Sequence, residues 1–291
     1  MFKGSIVALV TPFDKQGKVD LDSLARLVSY HVEQGTDGIL CLGTTGEAST
    51  LSEEEREMVI KTVIQQTKKQ IPVIAGTGTN STLQSIEYTK KAQQLGVDAC
   101  LVVIPYYNKP NAVGCLSHFK EIDKLGLPIM LYHNPARTGI KLSLDSLLSI
   151  CDLPNVVAVK ECSSDLDLVF ELTQKTPKTI LAGDDSYTLP MMLWGAKGIC
   201  SVVANLVPKK WKEMVTAYEK NNVCTAKKIM QDVFPLCKAL FLESNPQCVK
   251  YAMSLLNLCP PYLRLPLVLP SEDNQKKIKK ALESYLALQD I

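Results

Sequence analysis

The sequence predicts an α/β chain in which eight parallel strands close into a barrel and a helical appendage follows. Three observations carry this. Short apolar runs alternate with amphipathic stretches as far as about residue 205, and from about Lys209 the strand-like runs stop. The third is a weak internal repeat: GTDGI (Gly35–Ile39), GVDAC (Gly96–Cys100) and GAKGI (Gly195–Ile199) each lead from a helix end into a strand. The first glycine suits a left-handed helix C-cap, and the small fourth residue lets a strand start against packed neighbours. Strands that are apolar almost throughout belong to a parallel sheet covered on both faces. Eight strand–helix units in succession then give a (β/α)8 TIM barrel. A doubly wound open sheet is the main alternative, and periodicity alone leaves it open.

The strand candidates, in order, are Ser5–Val10, Gly38–Leu42, Pro72–Ala75, Ala99–Ile104, Pro128–Tyr132, Val156–Lys160, Thr179–Ala182 and Gly198–Val202. Between them, Leu21, Leu24, Val28 and Val32 fall on one helix face. Ser52 and Glu55 have capping-box spacing ahead of Val59, Ile60, Val63 and Ile64. In the tail, Trp211–Lys220, Thr225–Leu242, Gln247–Leu256 and Glu272–Leu288 read as helices. The expected division is a catalytic barrel over 1–221 and a C-terminal helical domain over 222–291.

Bulk properties exclude several classes. A chain of 291 residues, 46% hydrophobic and 21% charged, has ordinary globular composition. The net charge of +2 is small and spread out, so neither nucleic acid nor an anionic membrane is an expected partner. The apolar run Ile6–Val10 is too short for a signal peptide or a membrane span. The expectation is a soluble, cytoplasmic protein. Ten cysteines without any C-x-x-C pair read as reduced, mostly core residues.

In a βα barrel, reactive groups sit at the carboxyl ends of strands and on the loops that follow. Those positions hold Thr44, Thr45 and Glu47, then Tyr106 and Tyr107, Tyr132 and Arg137, Lys160, Gly183 and Asp184, and Cys200. Lys160 ends the otherwise apolar VVAVK run. A free lysine has a pKa of ~10.4, so attack on a carbonyl near neutral pH calls for desolvation or a nearby cation. Lowering it by ~3 units costs about 4 kcal/mol of ammonium stabilisation, which an apolar barrel interior can supply. An imine on that amine would turn a keto acid into an electron sink. A solvated strand-end lysine is the plainer reading, and convergent polar groups decide against it. Arg137, in NPARTG, suits bidentate capture of a carboxylate. GTTGE offers hydroxyls and N–H groups for another carboxylate. His31, His118 and His133 lie far apart, so no metal-binding cluster is visible. GTGTNS holds only part of a dinucleotide fingerprint, and no G-x-S-x-G elbow occurs.

These residues, in GSIVALVTPF, GTTGEASTL, VIAGTGTN, PYYNKP, LYHNPARTG, VVAVKE, AGDD and ESNPQCVK, resemble the dihydrodipicolinate synthase family of pyruvate-dependent class I aldolases. The similarity spans essentially the whole chain. It implies condensation of pyruvate with L-aspartate 4-semialdehyde in lysine and diaminopimelate biosynthesis. No cofactor is implied beyond the covalent imine of pyruvate with Lys160. Tyr132 would move protons, with Thr44 and Tyr107 completing a relay. In the family Tyr107 comes across a tight dimer interface, and the usual assembly is a homotetramer of such dimers. Thr45 would hold the pyruvate carboxylate, and Cys200 would contact pyruvate through its backbone. Arg137 would receive the semialdehyde carboxylate, with Gly183 and Asn245 in supporting roles.

The resemblance also implies a cleft where some relatives bind the inhibitor L-lysine, matched here by Ser49, Glu53, Arg56, Asn80, Gln84 and Tyr106. Glu53 and Arg56 stand where sensitive bacterial relatives often have histidines, and Gln84 where they have glutamate, so weak or absent inhibition is expected. One local departure stands out. Where members commonly show Tyr-Asn-(apolar)-Pro, this chain has Tyr132-His133-Asn134-Pro135, which touches loop packing more than chemistry. The rival readings are N-acetylneuraminate lyase of the same superfamily, which should favour GSTGE and lack Arg137, and a catalytically silent keto-acid-binding barrel.

Overall fold

The computed structural model describes residues 2–288. Its strands are β1 (Gly4–Ala8), β2 (Gly38–Cys41), β3 (Val73–Gly76), β4 (Ala99–Val103), β5 (Ile129–His133), β6 (Val156–Glu161), β7 (Thr179–Ala182) and β8 (Gly198–Ser201). The helices through the barrel are α1 (Leu21–Glu33), α2 (Glu53–Thr67), α3 (Thr82–Leu95), α4 (Ala112–Asp123), α5 (Pro135–Thr138), α6 (Leu144–Cys151), α7 (Leu166–Lys175), α8 (Thr188–Leu193) and α9 (Pro208–Glu219). Then come α10 (Val223–Ala239), α11 (Gln247–Leu255) and α12 (Glu272–Ala287). The last three residues of the expected C-terminal domain lie outside the described residues.

Every strand pairs in parallel with its sequence neighbour, and β1 pairs with β8. The sheet is closed, which excludes the doubly wound alternative. The local signals act as read. Ser52 and Glu55 form a reciprocal capping box on α2. Gly35, Gly96 and Gly195 all take left-handed φ values, between +78° and +104°. A Cβ on Gly198 would overlap the Gly4 carbonyl oxygen at 2.0 Å, so the small residue at the strand start is a requirement of close β1–β8 approach.

The barrel separates two apolar layers. Ile6, Leu40, Ile74, Met130 and Leu181 fill its interior, and Phe2, just ahead of β1, packs with them. The alternate residues of the strands pack against the surrounding helices. Each fully buried aliphatic side chain contributes about 1.5–3 kcal/mol, so both layers stabilise the closed sheet. Pairing of β5 with β6 steps from Ile129–Val156 to Met130–Ala158, leaving Val157 as an extra residue. After this bulge Ala158 and Lys160 face inward while Val159 and Glu161 face the helices. The bulge sets which face the lysine takes. Among the described residues no helix is long and apolar enough to cross a membrane.

Candidate active site

At the carboxyl ends of the strands lies a small cavity. Thr44, Thr45, Tyr132, Arg137, Lys160, Gly183 and Asn245 line it, together with Asn134, Val202 and Phe241. Residues from β2, β5, β6 and β7 and from the C-terminal segment thus meet at one place, as the fold requires of a barrel active face.

Lys160 is 5% exposed and pairs in register with Tyr132 across the β5–β6 ladder. Its Nζ lies 4.9 Å from the centre of the tyrosine ring. Gly183 makes room for it: a Cβ there would overlap Cys162 Sγ at 2.0 Å and stand 3.0 Å from Lys160 Cγ. Two opposed influences act on this lysine. Desolvation lowers Lys160, but Cys200, Tyr132, Cys162 and Asp185, in their negative forms, raise it more, above an ordinary lysine. Burial itself pushes Cys162 up to about 12 and raises Cys200 and Tyr132, so these three are neutral at pH 7 and Asp185 is the anion that counts there. At pH 7 burial thus works against the Lys160 ammonium, and Asp185 alone of these groups favours it.

Asp185, the second aspartate of AGDD, is a functional residue that sequence reading passed over. Its carboxylate accepts hydrogen bonds from Ser201 Oγ and from the backbone N–H of Val202 at 3.0 Å and Val203 at 3.3 Å. Burial pushes it up to about 6. It ties the loop after β7 to the loop after β8, where Val202 forms part of the cavity wall. Cys200 lies in the barrel interior among Ala158 and Leu181, off the described cavity lining.

The Gly43–Glu47 loop is held from a distance. Asn245 Nδ2 donates to Thr45 Oγ1 at 2.9 Å, and Arg137 Nη2 donates to the Asn245 carbonyl at 3.2 Å. Asn245 Oδ1 is buried without a hydrogen-bond partner among the described residues. Glu47, at φ +52°, receives Lys250 Nζ at 2.5 Å and the Arg264 backbone N–H at 3.0 Å. Lys250 also donates to the Tyr262 carbonyl at 2.9 Å and lies 4.1 Å above the Phe13 ring. Burial lowers Lys250, and Glu47 opposes that. The C-terminal segment thus fixes the loop that carries Thr44 and Thr45.

His133 and Asn134, the local departure, face opposite ways. His133 is buried outside the barrel, where its Nε2 accepts the Leu142 N–H at 3.3 Å. Its Nδ1 must therefore carry the proton, donated to Glu161 Oε2 at 2.8 Å. Asn134 instead lines the cavity, and its Nδ2 donates to Tyr132 Oη at 2.9 Å. The departure therefore reaches the cavity as well as the packing.

Two expected groups stay apart from this cavity. Tyr107 is 88% exposed, with a left-handed φ of +69°, and is not part of the cavity wall. Of the expected lysine-cleft residues, Glu53 and Arg56 border a second cavity, and Gln84 Nε2 reaches Glu53 Oε1 at 3.4 Å. Ser49, Asn80 and Tyr106 lie off that wall. Arg56 is 7% exposed; it donates to the Ala48 and Gly76 carbonyls at 3.1 and 2.6 Å and stacks on Tyr88 at 4.0 Å.

Comparison with known proteins agrees with this geometry. Residues 1–285 match the model of the Dihydrodipicolinate synthetase family. A 4-hydroxy-tetrahydrodipicolinate synthase of Syntrophotalea carbinolica is 44% identical over 99% of this chain and 100% of its own. The crystal structure of the chloride inhibited dihydrodipicolinate synthase from Acinetobacter baumannii, complexed with pyruvate, superposes with a TM-score of 0.96 at 42% identity, covering 98% of this chain and 99% of that one. The enzyme from Cyanidioschyzon merolae with lysine bound gives a TM-score of 0.95 at 34% identity, over 98% of both chains.

Proposed function

This chain belongs to the dihydrodipicolinate synthetase family, and we propose that it performs the family's lyase reaction through an imine on Lys160. The reaction condenses pyruvate with L-aspartate 4-semialdehyde and serves lysine and diaminopimelate biosynthesis. The observation that carries the reading is the convergence of Lys160, Tyr132, Thr44, Thr45 and Arg137 on one cavity.

The chemistry follows from the groups present. Deprotonated Lys160 attacks the keto carbon of pyruvate, and water leaves as the imine forms. The protonated imine withdraws electrons, so the adjacent methyl gives up a proton and becomes a nucleophilic enamine carbon. That carbon bonds to the aldehyde carbon, whose oxygen takes a proton. The amine of the semialdehyde portion then displaces the Lys160 nitrogen, closing the ring and freeing the enzyme. Tyr132 carries these protons, a role supported by its register pairing with Lys160. Thr45, tethered by Asn245, holds the pyruvate carboxylate, and Arg137 receives that of the semialdehyde. Cys200 and Gly183 form the bed beneath.

The relay is incomplete in one chain. Tyr132 Oη is engaged by Asn134, and Tyr107 stands in the open with Leu83 and Val113 also exposed. A second copy supplies Tyr107, so the working unit is a tight dimer, and two dimers form a homotetramer in the cytoplasm. A cluster of exposed Phe170, Leu193 and Trp194, with the two rings 5.1 Å apart, supports a further contact face.

The test is Arg137→Ala. A charge-assisted carboxylate contact contributes on the order of 1.5–3 kcal/mol, so kcat/KM for the semialdehyde should fall roughly ten- to a hundredfold while pyruvate still forms its imine. Unchanged semialdehyde kinetics would reject Arg137 as the receptor.

A further inference from the structure

Asn134 touches the proposed proton carrier with one end of its amide and the arginine-bearing turn with the other. Nδ2 lies 2.9 Å from Tyr132 Oη, and Oδ1 lies 3.2 Å from the backbone nitrogen of Arg137. A backbone N–H only donates, so the amide oxygen faces Arg137 and the NH2 group faces the phenol. Tyr132 Oη is then an acceptor from Asn134, and its own proton is left for a substrate group. We infer that Asn134 is a positioning residue that holds Tyr132 Oη with a permanent N–H donor throughout proton transfer. This rests on Tyr132 being the acid–base of the reaction.

The physical case is one of contrast. A hydrogen bond to an ionised oxygen is roughly twice as strong as one to a neutral oxygen, so the Asn134 N–H favours the phenolate over the phenol. Burial raises the phenol, and Cys162 adds to that, while Lys160, Asn134 and Arg137 oppose it. The two cations change during the reaction: the Lys160 nitrogen loses and regains its charge as it attacks and forms the imine, and Arg137 is taken by a substrate carboxylate. The amide alone is unchanged by turnover. Because Oδ1 also caps α5, the tyrosine oxygen and the arginine are placed by one side chain. An apolar side chain at this position would supply neither contact.

Exchange of deuterium into the pyruvate methyl group, measured on the whole enzyme without semialdehyde, isolates imine formation and proton transfer. It should be followed across pH for Asn134→Asp, Asn134→Val and Tyr132→Phe, alongside borohydride trapping of the imine. Asn134→Asp keeps an acceptor for the Arg137 N–H and removes the donor to the phenol. The expected result is roughly tenfold slower exchange, with the limb of the pH profile that reports the phenol moved upward and the trapped adduct at saturating pyruvate retained. Asn134→Val should slow exchange with a smaller pH displacement, since it adds no charge, and it decides the matter should the Asp variant fail to fold. Exchange at the native rate with an unmoved profile in both variants, or loss of the trapped adduct, overturns the inference. Full exchange in Tyr132→Phe would instead overturn the assignment of Tyr132.

Discussion

Two lysines in this molecule have lost nearly all contact with water, and they are treated differently. Lys250 is wholly buried, and its ammonium meets a carboxylate, a carbonyl and an aromatic face. Lys160 is buried almost as deeply at the wall of a cavity, and it forms no ion pair among the described residues. Burial alone therefore does not mark a reactive lysine. What separates the two is that Lys160 faces a cavity and a phenol.

Swapping the demands on the two residues gives the largest expected effects. Lys160→Arg should abolish turnover, because guanidinium stays protonated and cannot attack. Its melting temperature should fall far less than that of Lys250→Met. Lys250→Met leaves Glu47 buried without its cation, which costs about 3–5 kcal/mol. Adding Glu47→Gln should recover part of that loss while leaving Thr44 and Thr45 less firmly held, raising the KM for pyruvate. Thermal melts with pyruvate kinetics check both limbs. A silent Lys250→Met would show that the Glu47 pair is incidental.

A third buried cation sharpens the contrast at a smaller scale. Arg56 spends its donors on carbonyls and its face on Tyr88. It therefore adds positive charge beside the expected lysine cleft and no free acceptor. Gln84, paired with Glu53, gives no carboxylate of its own. Each difference weakens capture of a lysine ammonium by about 1 kcal/mol. Initial rates at fixed substrate should hardly change as lysine is raised into the millimolar range. Strong inhibition below one millimolar would show that Glu53 compensates.

The strands, the capping box and the mouth residues were legible because they follow local rules: period two, fixed offsets and strand ends. Lys160, Tyr132 and Arg137 fall at such places. The supports were not legible. Glu47 and Lys250 are 203 positions apart, and Thr45 and Asn245 are 200 apart, so no local pattern announces either pair. Asp185 sat inside the quoted AGDD, yet only the closed barrel brings Val202 and Val203 onto it. The groups that surround Lys160, thiols, a phenol and a carboxylate, come from several strands and loops. Tyr107 was legible as a mouth residue, yet it is exposed and lies off the cavity wall.

The central claim is that Lys160, and not Lys250 or any exposed lysine, takes the keto acid. Borohydride added with pyruvate, followed by peptide mass mapping, tests it directly. The account predicts one reduced pyruvate adduct, on the peptide holding Lys160, with a trapping rate that climbs as pH rises from 7 toward 10, and no adduct in Lys160→Arg. An adduct on Lys250 or another lysine, or none under turnover conditions, would contradict it.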